Sequence, residues 1–399
     1  MDFIGVVCEY NPFHNGHEYH LRESARQTGG LPVVCVMSGD FVQRGEAALY
    51  AKHARAEAAV RGGADVVFEL PLPWALASAE SFARGAVGLL GALGATTLSF
   101  GTESEDMGIL DALARRLLEP ETVEAIRAKM ADEPELSFAA ARQRVLEKLC
   151  GEGARALETP NNILAVEYLK AISALNLDIR PLAIRRLGSA HDGAGEGSTR
   201  SASEIRSLLL RGENADRFMG AAPRATLERD TAQGRGIPSR AALETAILSR
   251  LRMLRREDFL ALPDASGGLG ERLFRAVAEE PTLDAVFAAA KNKRLAMSRV
   301  RRACCCAALG ITDGMAAGIP PYARLLAANA RGREMLAALK ETSKIPIVTK
   351  PASVRELGER SEAIFSLGAA AHDLYVLGYR ASEERRGGAD WRSGPRIVE

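Results

Sequence analysis

The stretch Phe3-Ile4-Gly5-Val6-Val7-Cys8-Glu9-Tyr10-Asn11-Pro12-Phe13-His14-Asn15-Gly16-His17 opens on an apolar run and closes on two histidines three residues apart. The run Phe3–Val7 reads as a buried strand, and the spacing of His17, Leu21 and Ala25 reads as a helix. His14-Asn15-Gly16-His17 therefore falls on a strand-to-helix turn, where backbone N–H groups and the helix dipole favour an anion. The spacing places two imidazoles about one turn apart on one helix face. Gly16 has no side chain and lets a ligand approach the backbone. The turn suits the phosphates of a nucleotide. Two histidines at this spacing also fit a metal pair or a solvated polar turn; a zinc site would want further ligands close by, and only Cys8 is near.

The same reading extends along the first half. Pro32–Met37 predicts a second strand ending at Ser38-Gly39, and Ala64–Leu70 a third, stopped by Pro71 and Pro73. Ala95–Gly101 and Ile179–Ile184 predict a fourth and a fifth. Helical spacing fills the intervals Ala51–Gly62, Ser78–Leu93 and Asn162–Leu175. Repeated units of this kind predict the α/β class: a Rossmann-like, doubly wound parallel sheet with helices on both faces. Ligands bind beyond the carboxyl ends of such strands, so Asn11 to His17, Ser38-Gly39-Asp40, Leu70-Pro71 and Gly101 are expected to converge.

Ile109–Leu149 reads as helical throughout, within an insertion spanning about 106–158. Gly188–Ser198, rich in small residues and carrying His191 and Asp192, reads as a loop over the site. After Ser203 the pattern predicts helix almost without interruption to about Leu339. The apolar stretch Ile345-Pro346-Ile347-Val348 follows, then another helix and a final one near Ala369–Leu377. The polar tail from Arg385 is expected to fray. The expected division is a nucleotide-binding catalytic domain over 1–200 and a mainly helical, basic domain over 201–399.

Composition narrows the class. The 399 residues suffice for two domains, and no apolar stretch approaches the roughly 20 residues that span a bilayer. No signal peptide is expected, because a strand begins after a single acidic residue. The six cysteines (Cys8, Cys35, Cys150, Cys304, Cys305 and Cys306) include no CxxC pair. Consecutive helical residues point about 100° apart, so the last three cannot converge on one metal. All six are expected to be reduced, mostly buried thiols in a cytoplasmic protein. A net charge of +1 gives no global attraction for nucleic acid. Locally, Lys291, Lys293, Arg294, Arg299, Arg301 and Arg302 lie in one run without an acid. That run fits either a solvated helix face or an RNA-facing surface.

A second element, Ser201-Ala202-Ser203-Glu204-Ile205-Arg206, follows the small-residue loop and opens a helix. A serine N-cap with an arginine can cradle phosphate, and it can equally be an ordinary cap. Its place after the fifth strand, in a domain that already carries His14 and His17, selects the cradle. Arg185-Arg186 end that strand at the same edge.

The string Val7-Cys8-Glu9-Tyr10-Asn11-Pro12-Phe13-His14-Asn15-Gly16-His17-Glu18-Tyr19-His20 resembles the HxGH motif of the nucleotidyltransferase superfamily and, more narrowly, the bacterial tRNA(Met) cytidine acetate ligases. Met37–Glu46, Phe68-Glu69-Leu70-Pro71 and Thr159–Leu164 carry the same resemblance, which runs at lower density through nearly the whole chain. It implies that Val7 to His20, Gly101, Asn161, Asn162, Arg185 and Arg186 contact ATP. It also implies that His14, His17, Ser201, Ser203 and Arg206 do the chemistry. Ala202 departs from the family pattern, which has a hydroxyl residue there. The implied reaction activates acetate as acetyl-adenylate and passes the acetyl group to the wobble cytidine of elongator tRNA(Met). Mg²⁺ is expected with ATP, although no motif dictates its ligands, and no obligate protein partner is evident. Asp40, Gln43, Arg44 and Lys52 are candidates for the acetate or cytidine pocket, or for a solvated loop. Two other functions stay open: a small-molecule adenylyltransferase acting on a phosphorylated cofactor precursor, and a non-enzymatic RNA-binding module with a dead nucleotide site.

Overall fold

A computed structural model describes residues 1–104, 106–185 and 200–399. Its strands are β1 (Ile4–Cys8), β2 (Val33–Ser38), β3 (Phe41–Val42), β4 (Glu46–Ala47), β5 (Val66–Leu70), β6 (Thr97–Thr102), β7 (Arg180–Arg185), β8 (Ala323–Ala328), β9 (Ile347–Val348) and β10 (Arg396–Ile397). The main sheet runs β10-β8-β5-β2-β1-β6-β7 with β9 beside β8, while β3 and β4 form a separate hairpin. Neighbours from β5 to β7 are parallel, and β8 runs antiparallel to β5. The chain winds outward from β1 through β2 to β5, then returns to β6 on the other side. The strand order therefore reverses between β1 and β6, and a crevice opens at their carboxyl ends.

Alternation along the strands explains the two layers. Ile4, Val6, Cys35 and Met37 face Leu21 and the alanines of helix Lys52–Arg61. Phe3, Val34, Val36 and Phe68 face helix Ala79–Leu93. The expected insertion is three helices, Met107–Arg116, Pro120–Asp132 and Phe138–Cys150. Helices Arg240–Arg252, Leu269–Glu279, Leu283–Ala290 and Met297–Leu309 pack with Leu374 and Tyr375 into another core. Cys304, Cys305 and Cys306 are buried there, and burial pushes their thiols up.

The later half corrects two expectations. Ala323–Ala328 lies where helix was predicted, yet it is a fully buried strand paired with β5. Its alanines and leucines favour helix on propensity; backbone pairing inside a two-sided core overrides that. The tail is not frayed either: Asp390 is 0% exposed, and β10 pairs with β8. Residues 201–399 thus add three strands to the sheet begun in 1–200. Arg186 and the expected loop Gly188–Ser198 lie outside the described residues. Among the described residues, no helix is long and apolar enough to cross a membrane.

Candidate nucleotide site

β1 ends at Cys8, and the chain turns sharply at Tyr10, whose φ of 47° is left-handed. His14 caps helix Asn15–Gln27: its Nδ1 accepts the Gly16 N–H at 3.0 Å. For a neutral ring that contact puts the proton on Nε2. The His14 and His17 rings stack with centroids 3.7 Å apart, and Tyr10 and Phe13 pack against His17. Gly16 serves this packing, because a Cβ there would stand 2.9 Å from Cε1 of His14.

Not every residue of the stretch Val7–His20 points the same way. Phe13 is core, and Tyr10 lies 3.5 Å from the Cys35 sulfur through its hydroxyl. Burial pushes the Cys8 thiol and the Tyr10 phenol well up, so both stay protonated. Asn15 Nδ2 donates to the Arg217 carbonyl, and His20 Nε2 lies 3.0 Å from the Ser99 hydroxyl. Glu9 is drawn upward by burial, although it accepts the Gln43 N–H at 2.8 Å.

The second element meets the first directly. Arg206, on helix Ala202–Leu210, donates through Nη1 to the Asn11 carbonyl at 2.9 Å and through Nη2 to Ser203 Oγ at 3.1 Å. Glu46 lies 3.6 Å from the same guanidinium. Ser201 and Glu204 form a complete capping box, so both polar groups of Ser201 are engaged within the turn. Ser203 is exposed. Segments nearly 200 positions apart in sequence thus share one rim.

Across the crevice, Asn162 Oδ1 accepts from Thr102 Oγ1 and from the Glu103 and Ser104 N–H groups. Asn161 and Thr159 donate to the Glu103 carboxylate. The pair therefore clamps the exit of β6. Gly101 and Arg185 occupy adjacent strands, with Arg185 exposed at the end of β7 beside Thr102.

The four pocket candidates separate. Asp40 and Lys52 are not on a solvated loop. Lys52 Nζ donates to Glu69 at 2.8 Å and Asp390 at 2.6 Å, and Arg324 grips Asp390 with both terminal nitrogens. Asp40 accepts from His372 Nδ1 at 2.8 Å. Burial opposes ionisation of Asp40 and Asp390, but their cationic partners prevail and hold both carboxyls below the usual range. Gln43 is half-buried, and Arg44 is exposed at the hairpin tip.

The basic run is only partly solvated. Lys291, Lys293 and Arg294 are exposed, whereas Arg299, Arg301 and Arg302 are half-buried. Arg299 donates to the Asp264 carbonyl, Arg302 lies 3.9 Å from the Asp264 carboxylate, and Arg301 sits over the Phe287 ring.

Sequence reading missed Arg55. It is 0% exposed and donates to the carbonyls of Glu9, Ser38, Gly39 and Tyr50, tying together the chain exits of β1 and β2. The available signal was an arginine set directly between two alanines, Ala54 and Ala56, in a helix flanked by two strands. Gly45 and Glu46 fall in the string Met37–Glu46 that carries the family resemblance, but nothing in their residue types pointed to helix Met297–Leu309 or to Arg206.

A parallel sheet with a histidine-capped turn after its first strand, and an arginine-bearing helix folded back onto that turn, defines a nucleotide-handling enzyme fold. The chain belongs to the HIGH Nucleotidyl Transferase family, whose model matches residues 1–390. It is 38% identical over 376 residues to the tRNA(Met) cytidine acetate ligase of Syntrophotalea carbinolica, covering 91% of this chain and 89% of that one. The ligase of the same name from Thermosipho melanesiensis is 34% identical over 418 aligned positions, with 98% of each chain covered. The crystal structure of Thermotoga maritima TmcAL bound with alpha-thio ATP superposes with a TM-score of 0.92 at 31% identity, covering 100% of both chains.

Proposed function

We propose that this chain is an ATP-dependent tRNA(Met) cytidine acetate ligase. The observation that carries the reading is the Arg206–Asn11 contact, which closes two phosphate-type elements around the crevice at the β1–β6 reversal. The likeness to ligases of that name, and to a relative crystallised with an ATP analogue, supports it.

An acetate oxygen attacks the α-phosphorus of ATP. A P–O bond forms, the bond to the β-phosphate bridge breaks, and pyrophosphate leaves. The exocyclic amine of the wobble cytidine then attacks the acetyl carbonyl. An N–C bond forms, AMP departs, and the amine loses a proton. Phosphoryl transfer of this kind gains from positioning and from donors aimed at the phosphate oxygens. In this assignment His14 and His17 donate to those oxygens, with Nε2–H of His14 set by its Nδ1 cap. Ser203 and Arg206 hold the departing pyrophosphate. Ser201, engaged by Glu204, shapes the helix start and presents backbone N–H groups. Gly101, Asn161, Asn162 and Arg185 border the nucleotide from the β6–β7 side, and Arg186 is assigned there by resemblance.

Mg²⁺ is expected as the counter-ion of ATP. Among the described residues no group of three His, Cys, Asp or Glu side chains converges as a metal site, and an ion carried mainly by the ATP phosphates and water would need no such group. Residues 201–399, with Lys291, Lys293, Arg294, Arg299, Arg301 and Arg302, are assigned to the tRNA side. With ATP and tRNA as its substrates, the reaction is assigned here to the cytoplasm.

The test incubates the purified protein with ATP, Mg²⁺, labelled acetate and bulk bacterial tRNA, followed by nucleoside mass spectrometry. Labelled N4-acetylcytidine in tRNA(Met) is expected. ATP consumption yielding a stable dinucleotide product instead would move the protein to the small-molecule adenylyltransferases.

A further inference from the structure

The β3–β4 hairpin touches both the nucleotide turn and the helix that bears part of the basic run. On its inner side, the Gln43 N–H donates to the buried Glu9 carboxylate at 2.8 Å, and Gln43 Nε2 donates to the Ala77 carbonyl at 3.2 Å. Glu46, on β4, lies 3.6 Å from Arg206. On its outer side, Gly45 has a φ of +77°. A Cβ there would stand 2.3 Å from the Arg302 nitrogen and 2.5 Å from the Arg301 carbonyl carbon. Hairpin backbone therefore lies flush on helix backbone, and Cys305 Sγ donates to the Gly45 carbonyl at 3.2 Å. No flexible side chain spaces this contact.

The hairpin thus fixes the distance between the catalytic turn and helix Met297–Leu309. Its tip carries exposed Arg44, and Arg301 lies beneath Gly45 with its guanidinium 5.6 Å from the Phe287 ring centroid. Nε of Arg301 is buried without a hydrogen-bond partner. Among the described residues, no ion pair joins Arg44 or Arg301 to a carboxylate, and Arg301 lies over the Phe287 ring. Glu46, the acid of the hairpin, is directed to Arg206. Arg44, exposed, and Arg301, half-buried on the Phe287 ring, thus form a rim without a paired carboxylate where hairpin and helix meet. A guanidinium fork matches phosphate oxygens, and RNA offers phosphates at regular spacing beside bases that can be splayed out.

We propose that this rim is the docking site for the tRNA backbone flanking the modified nucleotide: Arg44 and Arg301 take neighbouring phosphates, and the hairpin is the strut that sets their distance from the adenylate. The inference rests on the acetate-ligase reading for its substrate. It moves Arg44 from the acetate or cytidine pocket to the RNA backbone.

Two readouts keep the inference and that reading separable. The first is tRNA(Met) retention on filters without ATP or acetate, over a salt series. Arg44→Glu and Arg301→Glu are each expected to weaken binding about tenfold and to reduce the slope of log affinity against log salt by about 1. Arg44→Lys should stay near the parent. The second is acetate-dependent exchange of pyrophosphate into ATP, which Arg44→Glu should leave intact while the KM for tRNA rises. Unchanged affinity and salt slope in Arg44→Glu would overturn the docking site. So would a loss of exchange equal to the loss of acetylation. Arg44-dependent tRNA binding in a protein with no acetate-dependent exchange would uphold the surface and sink the ligase reading.

Discussion

Arg55→Lys tests whether a buried arginine holds the nucleotide turn in place. The guanidinium serves carbonyls from four separate residues: Nε donates to Tyr50 at 2.8 Å, Nη1 to Glu9, and Nη2 to Ser38 at 3.1 Å and to Gly39. Lysine keeps the charge but offers one nitrogen where arginine offers three spread over a plane. A single ammonium can reach about two of those carbonyls. At about 1.5–3 kcal/mol for each charge-assisted hydrogen bond, losing the other two costs about 3–6 kcal/mol. That is a large share of the 5–15 kcal/mol typical of folded domains, roughly speaking. Because the Glu9 and Gly39 carbonyls lie at the crevice edge, a displaced turn should also raise the KM for ATP about tenfold or more. Urea denaturation followed by circular dichroism measures the first effect, and initial rates at varied ATP measure the second. A variant within about 1 kcal/mol of the parent with an unchanged KM would refute the reasoning.

Asp390→Asn leaves Lys52 and Arg324 buried with one carboxylate fewer, and a loss of about 3–5 kcal/mol in urea denaturation is expected; a loss near zero would mean that the tail is dispensable. Burial pushes His372 down, but the Asp40 carboxylate at 2.8 Å outweighs it and the net shift is upward. A raised folded value means that its stabilisation is complete below the unfolded value of about 6.5 and is lost as pH rises through the folded value. The charged groups that face this pair are Lys52 and Asp390. His372→Gln should therefore flatten the fall in urea midpoint on the alkaline side of neutrality, and an unaltered pH profile would remove the pair from the account. Gly62→Ala would place a Cβ 2.3 Å from the ring of Phe13, which packs on His17. Overpacking of about 1–3 kcal/mol is expected, with reduced ATP turnover; full activity and stability would show that the ring can yield.

The sheet from β5 to β7 was legible because β-branched runs alternate with helical spacing there, and its reversal point follows from strand order. The turn at His14–His17 and the helix start at Ser201 were legible as local chemistry. β8 was not: Ala-Arg-Leu-Leu-Ala-Ala contains no β-branched residue, and its strand state depends on pairing with β5, some 250 residues earlier. The fate of Asp40 and Lys52 was equally hidden. Their partners His372 and Asp390 come from distant segments, and Asp390 sits in a tail whose polarity suggested solvent. Arg55 reads as a surface residue until two strand exits are seen to converge on it.

The most direct test of the central claim, that His14, His17 and Arg206 share one ATP site that activates acetate, is exchange of labelled pyrophosphate into ATP without tRNA. The account predicts exchange that requires acetate, falls about 10²–10³-fold in His14→Ala, and falls steeply in Arg206→Ala. Exchange that proceeds equally without acetate, or that survives both substitutions, would contradict it.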